Sequence, residues 1–275
     1  MNTRAWYAVS GAWVAIALIV TPASPQSLER RVAGVRNGTV RLSFAARPGV
    51  YGNGRNVISW DCRNGRCRSQ QFNGNGTYAN WDDDDWSSAC DSGPVRVALH
   101  KSGGALIELR TYVGGEWRTA GSDVTDLGTV GAREAAAFLL GVAERDSGRA
   151  SERAILPATL ADSATIWPDL LRIARETRIS RRVRRSAVFW LGQAAGDAAT
   201  RGLTDLIDEG GVDRDVKESA VFALSQRPRD EGVPALIRIA KGNGDPELRR
   251  KAIFWLGQSD DPRALALFEE LLTKP

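Results

Sequence analysis

Arg182-Val-Arg-Arg-Ser-Ala-Val-Phe-Trp-Leu-Gly-Gln193 returns as Asp215-Val-Lys-Glu-Ser-Ala-Val-Phe-Ala-Leu-Ser-Gln226, and again as Glu247-Leu-Arg-Arg-Lys-Ala-Ile-Phe-Trp-Leu-Gly-Gln258. Ala187, Ala220 and Ala252 mark the three copies, 33 and then 32 residues apart. A fixed period in this range is the mark of a repeat array, in which each unit covers its neighbour's apolar face. In the first copy Val183, Ala187, Val188, Trp190 and Leu191 fall at offsets 0, 4, 5, 7 and 8, and the other two copies match them. That spacing is one face of a 3.6-residue helix. It predicts a repeat core of Ala187, Trp190, Leu191, Ala220, Leu224, Ala252, Trp255 and Leu256.

Between the copies lie second apolar-periodic segments, Trp167-Pro-Asp-Leu-Leu-Arg-Ile-Ala174 and Val233-Pro-Ala-Leu-Ile-Arg-Ile-Ala240, which match at 66 residues, two periods. Ala154 precedes Ala187 by 33 residues and suggests a degenerate first unit, as end units tend to be. Asp245-Pro246 and Asp261-Pro262 each place a capping acid before a proline at the first helical position. Gln193, Gln226 and Gln258 are expected to hydrogen-bond the turn that follows each helix.

Residues 150–275 therefore resemble HEAT repeats, in particular the short bacterial HEAT-like type also found in phycobilisome lyases. The resemblance rests on the Ala-Val/Ile-Phe-x-Leu-x-Gln blocks, the interposed Pro-x-Leu-Leu/Ile segments and the period. It implies an α-solenoid of about four helix pairs over 131–275. Arrays of this kind serve scaffolds, regulators and a few enzymes alike.

Upstream, the period changes from 3.6 to 2. Val40, Leu42 and Phe44 alternate, as do Val95, Val97 and Leu99, then Leu109 and Thr111. Glycine pairs such as Gly103-Gly104 separate the runs, so 38–117 reads as a small antiparallel β domain. The small polar residues of 118–130 read as a linker, and 24–37 as a loose lead-in. The fold class expected is α+β multidomain, an α-solenoid of HEAT-like helix pairs behind a small antiparallel β domain. Residues 1–23 read as a secretory signal: Arg4, an uncharged apolar run from Ala5 to Val20, then small residues before a break. The run is short of the roughly 20 residues a spanning helix needs. Export to the periplasm or beyond, with no membrane span after cleavage, is the expectation.

Cys62, Cys67 and Cys90 would then meet an oxidising compartment. Asn64-Gly65 suits the centre of a two-residue hairpin, which sets Cys62 opposite Cys67 at disulfide range. That pairing leaves Cys90 alone; the alternative pairs Cys90 with one of the other two. Trp81-Asp-Asp-Asp-Asp-Trp86 offers a cation site at Asp82 and Asp84 as the alternative to a solvated loop, but four consecutive acids do not wrap a calcium ion. The single histidine, His100, removes histidine-pair metal sites and most imidazole general-base schemes.

The net charge of +4 is a mild excess and does not point to nucleic acid. Arg181, Arg185, Arg249 and Arg250 are the first choices for contact with an acidic protein partner. No catalytic constellation and no cofactor motif emerges. The leading function is an exported, non-enzymatic scaffold or regulator. The alternatives are a carbohydrate- or cation-binding module using the Trp/Asp loop, and the lyase-type enzyme that the resemblance implies.

Overall fold

The computed structural model describes residues 27–55, 58–59, 62–63, 66–68, 86–87, 90–145, 148–194 and 196–273. The expected signal, residues 1–23, lies outside them, as do Asp82 and Asp84. Helix α1 (Leu28–Ala33) comes first, then strands β1 (Gly38–Phe44), β2 (Tyr51–Gly52), β3 (Ile58–Ser59), β4 (Cys62–Arg63), β5 (Arg66–Arg68), β6 (Trp86–Ser87), β7 (Val95–Ser102), β8 (Ala105–Val113) and β9 (Val124–Thr129). Nine helices follow among the described residues: α2 (Ala132–Arg145), α3 (Arg149–Thr159), α4 (Trp167–Arg175), α5 (Arg181–Gly192), α6 (Asp197–Asp208), α7 (Arg214–Ser225), α8 (Arg229–Gly242), α9 (Pro246–Gly257) and α10 (Pro262–Thr273).

The period-2 reading places β1, β7 and β8 correctly. Val40 faces Leu99, Leu42 faces Val97 and Phe44 faces Val95, so the apolar sides coincide and are buried. Gly103 and Gly104, both at positive φ, close the β7–β8 hairpin. The sheet is nevertheless mixed, in the order β8-β7-β1-β9, because β9 runs parallel to β1. The stretch 118–130 is thus more than a linker. Its Val-Thr-Asp-Leu-Gly-Thr segment carries little apolar alternation and is held instead by the backbone ladder, by Arg41 Nε on Asp126 at 2.8 Å and by Ser43 against Thr129 at 3.1 Å.

The lead-in is also corrected. Leu28 and Val32, one turn apart, bury the inner side of α1. The Leu28 N–H donates to Glu134 of α2 at 2.8 Å, and Lys101 of β7 donates to the Val32 carbonyl at 2.8 Å. Two smaller ladders pair β2 with β3 and β4 with β5 and β6. In the β4–β5 pair Cys62 stands opposite Cys67 and Arg63 opposite Arg66, the register the hairpin reading demands. Opposed residues at such a site have Cα atoms about 4.5–5.5 Å apart. The bridge itself rests on the hairpin reading of the sequence, which predicts Cys62–Cys67 in the oxidised protein. Alkylation without reduction that labels both thiols would overturn this.

The helices stack in two rows. Along one, α3, α5, α7 and α9 touch in succession; along the other, α4, α6, α8 and α10 do. Ala187, Leu191, Ala220, Leu224, Ala252 and Leu256 are buried as the spacing predicts, and Trp190 with them. Each such leucine is worth roughly 2 kcal/mol of burial. Trp255 is half-buried and meets Phe222 of the preceding unit, ring centres 5.1 Å apart. Asp245 accepts from the Glu247 N–H, and Asp261 from the Arg263 N–H, each at 2.9 Å, as caps should.

The recurring glutamines do not act as expected. All three side chains are exposed, and Gln226 bonds only the neighbouring Ser225 hydroxyl, at 3.0 Å. It is the backbone that repeats: the N–H groups of Gln193, Gln226 and Gln258 reach the carbonyls three residues back, at 3.1, 3.1 and 3.2 Å. The sheet and the helices share one continuous core. The α3–α4 turn is stitched to the end of β1 by Arg47 N–H on the Leu160 carbonyl at 2.8 Å and Asp162 N–H on the Ala45 carbonyl at 2.9 Å. Among the described residues no helix is long and apolar enough to cross a membrane.

Candidate partner-binding face

Charged residues are frequent on the outer surfaces of both rows, and many of them are paired between neighbouring units. Arg172 reaches back from α4 to Glu144 of α2 with two bonds, 2.7 and 2.8 Å, while Arg175 reaches forward to Glu209 at 2.6 Å. The same pattern recurs 66 residues on, where Arg238 reaches back to Asp208 at 3.0 Å and Lys241 forward to Glu270 at 2.6 Å. Exposed pairs of this kind contribute a few tenths to about 1 kcal/mol each. Their repetition sets the register between units.

The four arginines chosen from sequence lie on the other row, two on α5 and two on α9, with α7 between them. Arg181 is exposed and pairs across to Asp215 and Asp213 of the next unit, at 3.3 and 3.7 Å. Arg185, exposed, donates to the Ser219 hydroxyl at 3.2 Å. Arg249 is half-buried and donates back to the Asn243 carbonyl at 2.6 Å. Arg250 is exposed and pairs with Glu247 in its own helix. The structure brings them onto one side of the molecule without gathering them into a cluster.

Their neighbour Arg184 is a different kind of residue. It is buried, donates to the Ile179 carbonyl at 3.1 Å and pairs with Asp213, the N-cap residue just before α7. The Asp213 carboxylate is thereby drawn away from capping its own helix. Arg227 is the second buried arginine of the helical region, and it joins the α5–α6 turn to α8 through five bonds.

Sequence reading by apolar periodicity passed over three phenylalanines. Phe189, Phe222 and Phe254 stand six residues after Val183, Val216 and Leu248. At 100° per residue that is about 240° round the helix, opposite an apolar face centred near 60°. An aromatic kept on the polar side of three successive helices is the signal that could have found them. Phe189 and Phe222 are half-buried, and Phe254 is 57% exposed. Phe222, Trp255 and Phe254 form a run of ring contacts with centres 5.1 and 5.0 Å apart. By the same angular count Arg185, Glu218 and Arg250 sit about 40° from each phenylalanine. The open side of α5, α7 and α9 is thus an aromatic stripe edged with charge, able to anchor apolar side chains and to select by charge.

The β region offers a second aromatic group. The Arg96 guanidinium lies 4.8 Å from the Trp117 ring centre and 5.5 Å from that of Tyr112, with Arg41 over Trp117 at 5.3 Å. Arg96 also donates to the Gly114 and Gly54 carbonyls at 2.9 and 2.8 Å, so it braces two loops, and its burial lowers its pKa. His100 is exposed, with Nδ1 3.4 Å from the Thr39 hydroxyl. Cys90 is half-buried, next to the bridge between Gly52 and Asp91.

Comparison with known proteins bears on the last part of the chain. No curated protein matches it. Residues 209–275, from the end of α6 through α10, match the family model described as HEAT repeats.

Proposed function

We propose that this protein is an exported, non-enzymatic scaffold whose helices form a HEAT-like α-solenoid. It holds a protein partner along the open side of α5, α7 and α9. HEAT repeats commonly mediate protein–protein interaction, and the observation that carries the reading here is the phenylalanine kept on the polar side of the helix at one position in three successive units, half-buried in the first two and exposed in the third, edged by Arg185, Glu218 and Arg250. Rings of this type supply anchoring area at low conformational cost, and mixed charges beside them fix the partner's register. Export rests on the character of residues 1–23.

The test is a pull-down from an envelope extract of the native host, using the chain from residue 24 as bait. A saturable protein should be retained. Phe189→Ala, or the pair Arg185→Glu and Arg250→Glu, should weaken that retention about tenfold or more while circular dichroism stays unchanged. Retention that ignores all three changes would remove the partner from this side and direct attention to the β region.

A further inference from the structure

On α5, α7 and α9 the residues three, four and seven places before each phenylalanine stand within about 60° of it, at 100° per residue. Every carboxylate among them already meets a cation of this chain. Asp215 has Arg181 at 3.3 Å, Glu218 has Lys251 at 3.2 Å, and Glu247 has Arg250. The cations come out otherwise. Arg182 has Glu152 at 3.7 Å, but Arg185 has the Ser219 hydroxyl at 3.2 Å and no ion pair among the described residues. The charge left over on this side is therefore positive and lies at its α5 end. Formal charge over the helices agrees: α5 carries +4, α7 is neutral and α9 carries +2, against −2, +1 and −1 for α6, α8 and α10 of the other row. Asp213 and Asp245, just before α7 and α9, reduce that excess without reversing it.

The interval between the rings selects a conformation. From Phe222 to Trp255 and on to Phe254 the ring centres are 5.1 and 5.0 Å apart, so Phe222 and Phe254 lie within about 10 Å of each other. Helices packed side by side stand about 8–10 Å apart, which sets the same interval along the row. An α-helix returns a side chain to one side every seven residues, about 10.5 Å. An extended strand does so at about 6.6 or 13 Å and misses the interval. We infer, on the reading of this face given above, that what it holds is an acidic amphipathic α-helix lying across α5, α7 and α9. Its apolar side chains recur by heptads and pack against the rings. Its carboxylates flank them and meet Arg185, which stands one turn, about 6 Å, along α5 from Phe189. A helix about 10–12 Å across covers both.

Fluorescence anisotropy on the chain from residue 24 tests this with a labelled helical peptide of about three heptads. The probe carries leucine at the first and fourth positions of each heptad, glutamate on the flanks, and alanine and glutamine elsewhere. It should bind with a Kd of about 50 μM or tighter. Lysine in place of every glutamate, or the same composition with its leucines scattered round the helix, should weaken binding about tenfold or more. Arg185→Glu should weaken the glutamate probe and strengthen the lysine probe, a reversal that loss of fold does not produce. Arg201→Glu, exposed on α6 in the other row, should change neither. No binding of the glutamate probe at about 500 μM, equal binding of the lysine probe, or tighter binding of an acidic proline-rich probe overturns the inference. A partner still captured through Phe189 would then leave the wider reading of this face standing. That reading falls separately, when retention of the partner ignores Phe189→Ala and the arginine reversals, whatever the probes do.

Discussion

Arg227→Met lowers the stability of the helical region by about 3–5 kcal/mol, the loss typical of stripping one partner from a buried charged network. Arg227 lies in the turn between α7 and α8 with its side chain 4% exposed. Nε donates to the Thr200 hydroxyl at 2.8 Å. Nη1 donates to the carbonyls of Gly192, at 3.2 Å, and Ala194, and Nη2 to the Gly196 carbonyl and Glu231, both at 2.8 Å. Those carbonyls belong to the end of α5 and the start of α6, where helix termini leave backbone groups without intrahelical partners. One guanidinium thus closes the turn of the preceding unit from the turn of the next. Methionine fills the volume and satisfies none of these acceptors.

Lysine at the same position keeps the charge and loses the planar fork, so Arg227→Lys should recover only part of the deficit. Urea unfolding followed by circular dichroism measures both; a shift in midpoint at constant slope is the expected form. A loss under about 1 kcal/mol for the methionine variant would mean that the network is ornamental. There is a pH signature too. The Thr200 hydroxyl first, and Arg227 second, hold the Glu231 carboxyl below its ordinary value. A carboxylate lowered on folding contributes stability that is present above its unfolded pKa and is lost as pH falls through the folded one. Removing Arg227 should therefore raise the Glu231 titration midpoint and flatten the acid limb of stability against pH.

What the sequence made legible was whatever recurs. Ala187, Ala220 and Ala252 announced the array, and Leu191, Leu224 and Leu256 are buried because periodicity reports burial directly. Asp245 and Asp261 were readable because a cap acts on its own helix; Arg263 holds the Asp261 carboxyl down to about 2. Arg227 was hidden for the opposite reason. Its counterparts are Ala194 and Ser259, so it departs from the repeat and does its work thirty residues away. The basic stripe was visible, but its pairing was not, since Arg181 with Asp215 and Arg175 with Glu209 meet only once the units stack. Strand β9 escaped because a parallel edge strand held by backbone bonds requires no alternation of side chains. The phenylalanines on the polar side of α5, α7 and α9 were in plain view, at an angle that a search for buried faces passes over.

Three glycine substitutions should have three different outcomes, although two of the sites share one motif letter. Gly232→Ala is expected to cost about 3 kcal/mol, because a Cβ there would lie 2.3 Å from the Leu224 carbonyl oxygen, a backbone atom that moves only if α7 and α8 part. Gly192→Ala should cost about 2 kcal/mol: its Cβ would meet Ala223 Cβ at 2.9 Å and the Ala223 backbone at 3.2 Å. Gly257 stands in the same Trp-Leu-Gly-Gln motif, yet the nearest atom to its Cβ is a Phe268 ring carbon at 4.0 Å. Gly257→Ala should stabilise by up to about 1 kcal/mol, the helical preference of alanine over glycine. The middle copy explains the contrast. There the motif reads Ala-Leu-Ser-Gln, and small Ala223 brings α7 so close to α5 that residue 192 has no room for a side chain. Ser225 faces a following unit that carries Trp255 in place of that alanine, and a Cβ fits. Small meets small at one joint, and larger meets larger at the next. Urea midpoints for the three alanine variants would decide the matter: a neutral Gly192→Ala, or equal losses at 192 and 257, would show that the glycines are helix-end conveniences rather than parts of the joint between α5 and α7.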